Sequence, residues 1–356
     1  MVRQKIPVSA LVGLVVVVVV GAVAAVVLGG SSKHSSVQAA ATGQPSEAPA
    51  LATYSERVPH AASQLNAYAL QGTVRGAAST PQPTEPPVSA SAFRAPVAAY
   101  KAYSGQQLEL MENDISQLST ELASGDRTAA KDAWRHAFAD YMTLGAVYLE
   151  GPVADLDQAI DGNPGGLKGG TASPQFTGLH RIEFGLYTGA SLASLVPYAR
   201  RLASDVVELR RILPRVQVDP LDYSTRAHEI LEDAVRDLLS GTDVPWSGEG
   251  VLGTASGVAA TTEVIKTLAP VLKSREGVLS VVNAQLGGLR SSLASLQAQH
   301  GGRLPTNSQL TQSQSEQLSA SIGQTLEALA QVPGALETTT TPPIPSIPRS
   351  DERIVP

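Results

Sequence analysis

The chain has 356 residues, 43% of them hydrophobic but only 4% aromatic, with a net charge of -6 and no cysteine. That length leaves room for one sizeable core or two small ones, and the modest charge without a long basic run excludes a nucleic-acid partner, which needs a dense positive surface. Without cysteine there are no disulfides, no thiolate ligands and no lipid-modified N-terminal cysteine, so any metal must be held by nitrogen and oxygen.

A core short of aromatics and rich in Ala, Leu and Val suits close-packed helices better than a sheet. The expected fold class is all-α, as packed up-and-down helical bundles. In chain order, residues 1–5 carry Arg3 and Lys5 and read as a cytoplasmic N-terminus. Residues 6–30, IPVSALVGLVVVVVVGAVAAVVLGG, are uncharged and long enough to cross a bilayer as a helix. They read as a transmembrane anchor, with the rest of the chain outside the membrane. The alternative is a signal segment cleaved near the small residues Ala39 to Ala41, which would release a secreted protein.

Residues 31–92 are dominated by Ser, Ala, Pro, Gly and Thr and end in STPQPTEPPVSAS, the composition of a low-complexity tether. Residues 337–356 repeat that character as a disordered tail. The helical domain is therefore expected over 93–336. Leu108, Met111, Ile115, Leu118 and Leu122 step by three and four along a helix that stops at Gly125, and Asp126 caps the next. Trp134, Phe138, Tyr141 and Tyr148 form a second stripe, and Leu195, Tyr198, Leu202, Val206 and Leu209 a third. Ile230, Leu231, Ala234 and Leu238 follow behind a Ser224 cap. Val282, Leu286, Leu289, Leu293 and Leu296, then Leu318, Ile322, Leu326 and Leu329, complete the series.

The chemistry candidates lie on and between those helices. Asp155, Asp157 and Asp161 sit in VADLDQAIDGNPGGLKGG, a Gly-rich stretch that reads as a loop able to gather carboxylates around a hard cation. Its spacing lacks the Gly and terminal Glu of a calcium loop, so a solvated acidic turn is the plainer account. His180 and Glu183 in FTGLHRIEFGLY stand at i and i+3, with Cβ atoms about 5 to 6 Å apart on one helix face. They can hold one ion, or a structural His–Glu hydrogen bond. His228 and Glu232, at i and i+4, form a second pair that joins the first only if both reach the bundle centre, as carboxylate and histidine ligands do in several metal-binding bundles. Otherwise it is a surface pair. His136 falls about 200° around its helix from Trp134 and should face solvent.

WRHAFADY, DLDQAIDG, FTGLHRIEFGLY and AHEILEDAVRDLLSG follow one another in the order found in the imelysin-like family, and the chain resembles its EfeO-type branch, the periplasmic partner of an elemental iron permease. The resemblance covers roughly residues 98–272. It implies a pair of packed helical bundles and metal binding, iron above all, through the HxxE pair His180 and Glu183. Two departures stand out: Tyr141 is followed by MTLGAVYLEG where EfeO-type proteins carry a Glu-rich YERIEP-like stretch, and a tether replaces the N-terminal cupredoxin domain of some members.

Three readings stay open on these grounds. One is a membrane-anchored extracytoplasmic protein that takes up iron or another divalent cation and passes it to a permease or a haem-handling peroxidase partner. Another is a metallopeptidase, although HExxH is absent and a third ligand, a water and a base have no obvious place. The last is a metal-free helical scaffold or interaction module. Enzymatic activity is the less expected outcome.

Overall fold

The protein is described by a computed structural model over residues 88–146 and 152–336. The apolar N-terminal run, nearly all of the tether, Tyr148 and the C-terminal tail lie outside those residues. Within them all regular structure is helical, with no strand, and no helix is long and apolar enough to cross a membrane.

Helix α1, Arg94–Ser124, buries Leu108, Met111, Ile115, Leu118 and Leu122 along one stripe. It ends at Gly125, whose φ of 86° is the left-handed conformation that glycine adopts without steric penalty. Asp126 then accepts from the Ala129 N–H and opens α2, Arg127–Met142. Asp126 satisfies a donor that the first turn of a helix cannot pair internally, which is why the chain restarts there. Helices α3, Pro152–Asp161, α4, Gly178–Thr188, and α5, Leu192–Ile212, follow. Next come α6, Pro220–Asp233, which runs into a π-helical turn at Ala234–Leu238, then α7, Gly250–Leu272, α8, Glu276–Gln299, and α9, Gln312–Leu329. A short α10, Gln331–Ala335, closes the described chain.

The contacts close two rings of four. Helix α1 packs on α2 and α5, and α4 joins α2 to α5. In the second ring α6 packs on α7, α7 on α8, α8 on α9, and α9 back on α6. Helix α7 also packs on α1 and α2, joining the rings, and its small residues allow it to do so. A Cβ added at Gly253 would come within 3.2 Å of Phe138 in one bundle and 2.8 Å of Leu238 in the other. The core is continuous from Phe93 to Leu336 and is built of aliphatic side chains around a stacked pair, Trp134 and Phe138, with centroids 5.2 Å apart.

Two local expectations change. The acidic stretch from Asp155 to Asp161 is helix α3 rather than loop, because Val153 and Ile160 are buried and anchor it as an amphipathic turn pair. Ser224 is not a cap but an interior, buried residue of α6. The helix starts a turn earlier, where the Asp219 carboxylate accepts from the Asp222 N–H at 3.4 Å and Pro220 takes the first helical position that suits its fixed φ. His136 is exposed, on the solvent side of α2.

Candidate metal centre

The segment that joins α3 to α4 is built on two glycines. Gly178 has φ 71°, and a Cβ there would lie 2.4 Å from the Ile160 carbonyl oxygen; Gly162 has φ 74°, and its Cβ would lie 1.8 Å from the Thr177 carbonyl oxygen. The backbone at the end of α3 thus touches the backbone at the start of α4, an approach open only to residues without side chains. The Thr177 hydroxyl donates to the Ala159 carbonyl at 3.2 Å, and the Trp134 indole N–H donates to the Leu179 carbonyl at 3.0 Å. These contacts fix the first turn of α4 and with it the ring of His180.

His180 is 1% exposed. Its Nδ1 lies 2.8 Å from the Asp161 carbonyl oxygen, and its Nε2 bonds the Asp243 carbonyl oxygen. The carboxylates of the same two residues approach at 3.4 Å, Asp161 beside Nδ1 and Asp243 beside Nε2. A carbonyl oxygen only accepts, so both ring nitrogens donate and the ring is an imidazolium. Burial pulls the His180 pKa down, but the Asp161 charge, the Asp243 hydrogen bond and the Asp243 and Glu183 charges push it up to about 10. Burial in turn raises Asp161, with the Asp243 charge adding to it and His180 opposing.

Asp161, His180 and Asp243 offer ligand atoms that all lie within 4.8 Å of one another, and among the described residues they are the one group of three such side chains that does so. Two carboxylates and an imidazole make a nitrogen–oxygen donor set suited to first-row transition metals. The residues fit a cation once His180 gives up its proton and one of its carbonyl partners. Asn163 sits between the two aspartates: its N–H donates to Asp161 at 3.1 Å and its side-chain amide to Asp243 at 3.3 Å.

Glu183, the other half of HxxE, faces the segment between α6 and α7 that carries Asp243. It is fully buried, and its Oε1 accepts from the Ser247 N–H at 2.7 Å and the Trp246 N–H at 3.3 Å. Its Oε2 is buried with no hydrogen-bond partner among the described residues. Burial raises the Glu183 pKa, against the His180 charge and the Ser247 and Trp246 donors. His180 and Glu183 therefore both grip the segment between α6 and α7, one at Asp243 and the other at Trp246 and Ser247.

The remaining candidates are placed differently. Asp157 points to a cleft of about 190 Å³ lined by Asp161, Asp243, Tyr141, Arg226 and Arg236 among others. Asp155, two residues earlier, is exposed on the opposite side of α3. His228 pairs with Glu232 at 3.4 Å on the outer part of α6, where Glu232 is half exposed, and neither joins the group around His180. Asp243 was missed by sequence reasoning. It follows SGT after the π-helical turn and carries no motif of its own; its one signal is an isolated acid just beyond the last helix of the matching blocks.

Residues 96–243 match the imelysin family model, a span that begins in α1 and ends on Asp243. The chain is 25% identical over 245 residues to the iron uptake system component EfeO of Escherichia coli strain K12, covering 67% of this chain and 63% of that protein. The EfeO proteins of Shigella flexneri and of Escherichia coli O157:H7 match with the same identity and coverage. The chain thus spans about 63% of the length of the curated relatives it matches. Residues 96–243, where two glycines set His180 between Asp161 and Asp243 in a helical fold, are thus imelysin-like, and over about two-thirds of its length the chain is similar to EfeO-type iron uptake components.

Proposed function

We propose that the protein is the cation-binding component of an iron-uptake system, held at the outer face of a membrane by its apolar N-terminal segment, and that it takes iron at Asp161, His180 and Asp243. The observation that carries this reading is the buried His180 ring set between two aspartates that line an acidic cleft. Iron is the ion named by the relatives, which are components of iron uptake systems. Glu183 fixes the segment that presents Asp243, so the HxxE pair divides its labour between a ligand and a clamp. Arg3 and Lys5 before the apolar run support an extracytoplasmic domain, and a permease or haem-handling peroxidase in the same membrane is the partner class such a carrier serves.

The test is metal analysis of the full-length protein, wild type beside His180→Gln and Asp243→Asn. About one iron per chain in the wild type, and affinity lower by 10-fold or more in both variants, is the expected result. Equal metal content in all three, or none in any, sinks the reading. It would favour instead a metal-free scaffold, for which one observation speaks: both nitrogens of His180 already hold carbonyl oxygens and tie α4 to its neighbours.

A further inference from the structure

Tyr141 and Asp157 line the same cleft and have no part in that reading. Tyr141 stands at the end of α2, 4% exposed, and its phenol donates to Asp157 Oδ1 at 2.6 Å. Asp157 lies one turn before Asp161 on α3, and residues four apart on a helix share a face. Both line the cleft that Asp161 and Asp243 also line. The bland account is a helix tie, a phenol–carboxylate bond that holds α2 to α3. A tie does not need a carboxylate, however, and this one is placed beside Asp161, where like charges oppose one another in a half-buried setting. A cation entering the cleft offsets that repulsion.

We propose that Tyr141 is a further ligand of the cation, delivering a phenolate oxygen that favours trivalent over divalent iron, and that Asp157 receives the phenolic proton. The proposal rests on the cation-binding reading above and deepens it. In the step, the Tyr141 O–H bond breaks, its proton crosses the existing hydrogen bond to Asp157 Oδ1, and the phenolate lone pair forms the new bond to the ion. Nothing is oxidised or reduced. A phenolate is a hard, anionic oxygen donor, and hard donors select for the more highly charged ion. Asp157 stands outside the inner group of three, so Tyr141 meets the ion from the cleft side, where about 190 Å³ accommodates an ion with several waters.

The test uses the full-length protein loaded in parallel with ferric iron, supplied as its nitrilotriacetate complex, and with zinc. Ferric phenolates absorb in the visible and zinc phenolates do not, so the wild type should acquire a visible charge-transfer band with ferric iron alone. Tyr141→Phe should lose the band, with affinity for ferric iron falling on the order of 100-fold and affinity for zinc falling much less. Asp157→Asn should keep the fold, checked by circular dichroism, but weaken ferric binding by about 10-fold. Ferric iron bound at one per chain without a visible band, or a band that survives in Tyr141→Phe, overturns the phenolate proposal and leaves the cation reading intact. A wild type that binds neither ion fails the cation reading and takes this proposal with it.

Discussion

Glu183 accepts a 2.7 Å hydrogen bond from the backbone N–H of Ser247, joining the buried face of α4 to the segment that leads into α7. The Trp246 N–H donates to the same oxygen, and the Trp246 ring meets Phe184 edge-on at 5.1 Å. A carboxylate in this place is a backbone clamp. Replacing it by alanine strands two N–H groups in the interior, which costs about 2 to 3 kcal/mol, whereas glutamine keeps an acceptor and should cost about 1 kcal/mol or less. Thermal unfolding of Glu183→Ala and Glu183→Gln without metal checks this; equal losses would show that the charge, not the acceptor, matters.

Gly178 gives a steeper prediction. Its positive φ and the 2.4 Å approach of the Ile160 carbonyl leave no room for a methyl group, so Gly178→Ala should lose about 3 kcal/mol or more and displace the His180 ring. Gly189 supplies the comparison, with φ 89° but nothing within 4 Å of an added Cβ. Gly189→Ala should lose only about 1 kcal/mol, the strain of the backbone alone. Urea unfolding of the two variants measures the difference, which is the contribution of the helix-to-helix contact.

Cation binding should release a proton. His180 holds its proton up to about 10 because its flanking carboxylates outweigh the effect of burial, and a ring nitrogen that donates cannot also coordinate. Affinity should therefore climb with pH, by about 10-fold per unit below that value. Calorimetric titration in two buffers of different ionisation enthalpy at pH 7 counts the protons. A pH-independent affinity with no proton released would mean that the ion bypasses His180.

Asp140 predicts a pH dependence of the fold itself. Burial, then the charge of Asp114 on α1 and the hydrogen bond the two share, raise its pKa to about 7. The folded chain holds that proton more tightly than the unfolded chain does. The associated stability is complete below the ordinary carboxylate range and is lost as pH climbs through about 7. Asp140→Asn should thus raise stability at pH 8 by about 1 to 2 kcal/mol, a figure reduced for the partial exposure of the pair, and change it little near pH 4. Melting temperatures at the two pH values decide it, and a variant that gains equally at both rules out the shared proton.

Much of the frame was legible in the sequence because it rests on local rules. The stripe from Leu108 to Leu122, the stop at Gly125 and the cap at Asp126 each depend on residues within a turn or two of one another. His180 and Asp161 were legible as candidates for the same reason: an imidazole and a carboxylate flanked by apolar residues and glycines are conspicuous wherever the chain puts them. The loop expected at Asp155 and the cap expected at Ser224 failed where local signals competed. Glycines after α3 suggested irregular backbone, but burial of Val153 and Ile160 decided for helix; Ser224 had the right chemistry, but Asp219 and Pro220 had it one turn earlier.

The sequence by itself determined a helical fold for the described residues, the stop and restart at Gly125 and Asp126, and which side chains carry donor atoms. Only the tertiary structure decided which of those atoms meet. Asp243 reaches His180 because the π-helical turn and the packing of α6 on α7 carry a distant segment back over α4, and that closure is a property of two bundles sharing one helix. Glu183 turns to the Ser247 N–H for the same reason, whereas the His228–Glu232 pair is local to α6 and follows from its i, i+4 spacing. A side chain's partner is set by which backbone lies within hydrogen-bond reach after folding, and spacing along one helix holds no record of the others.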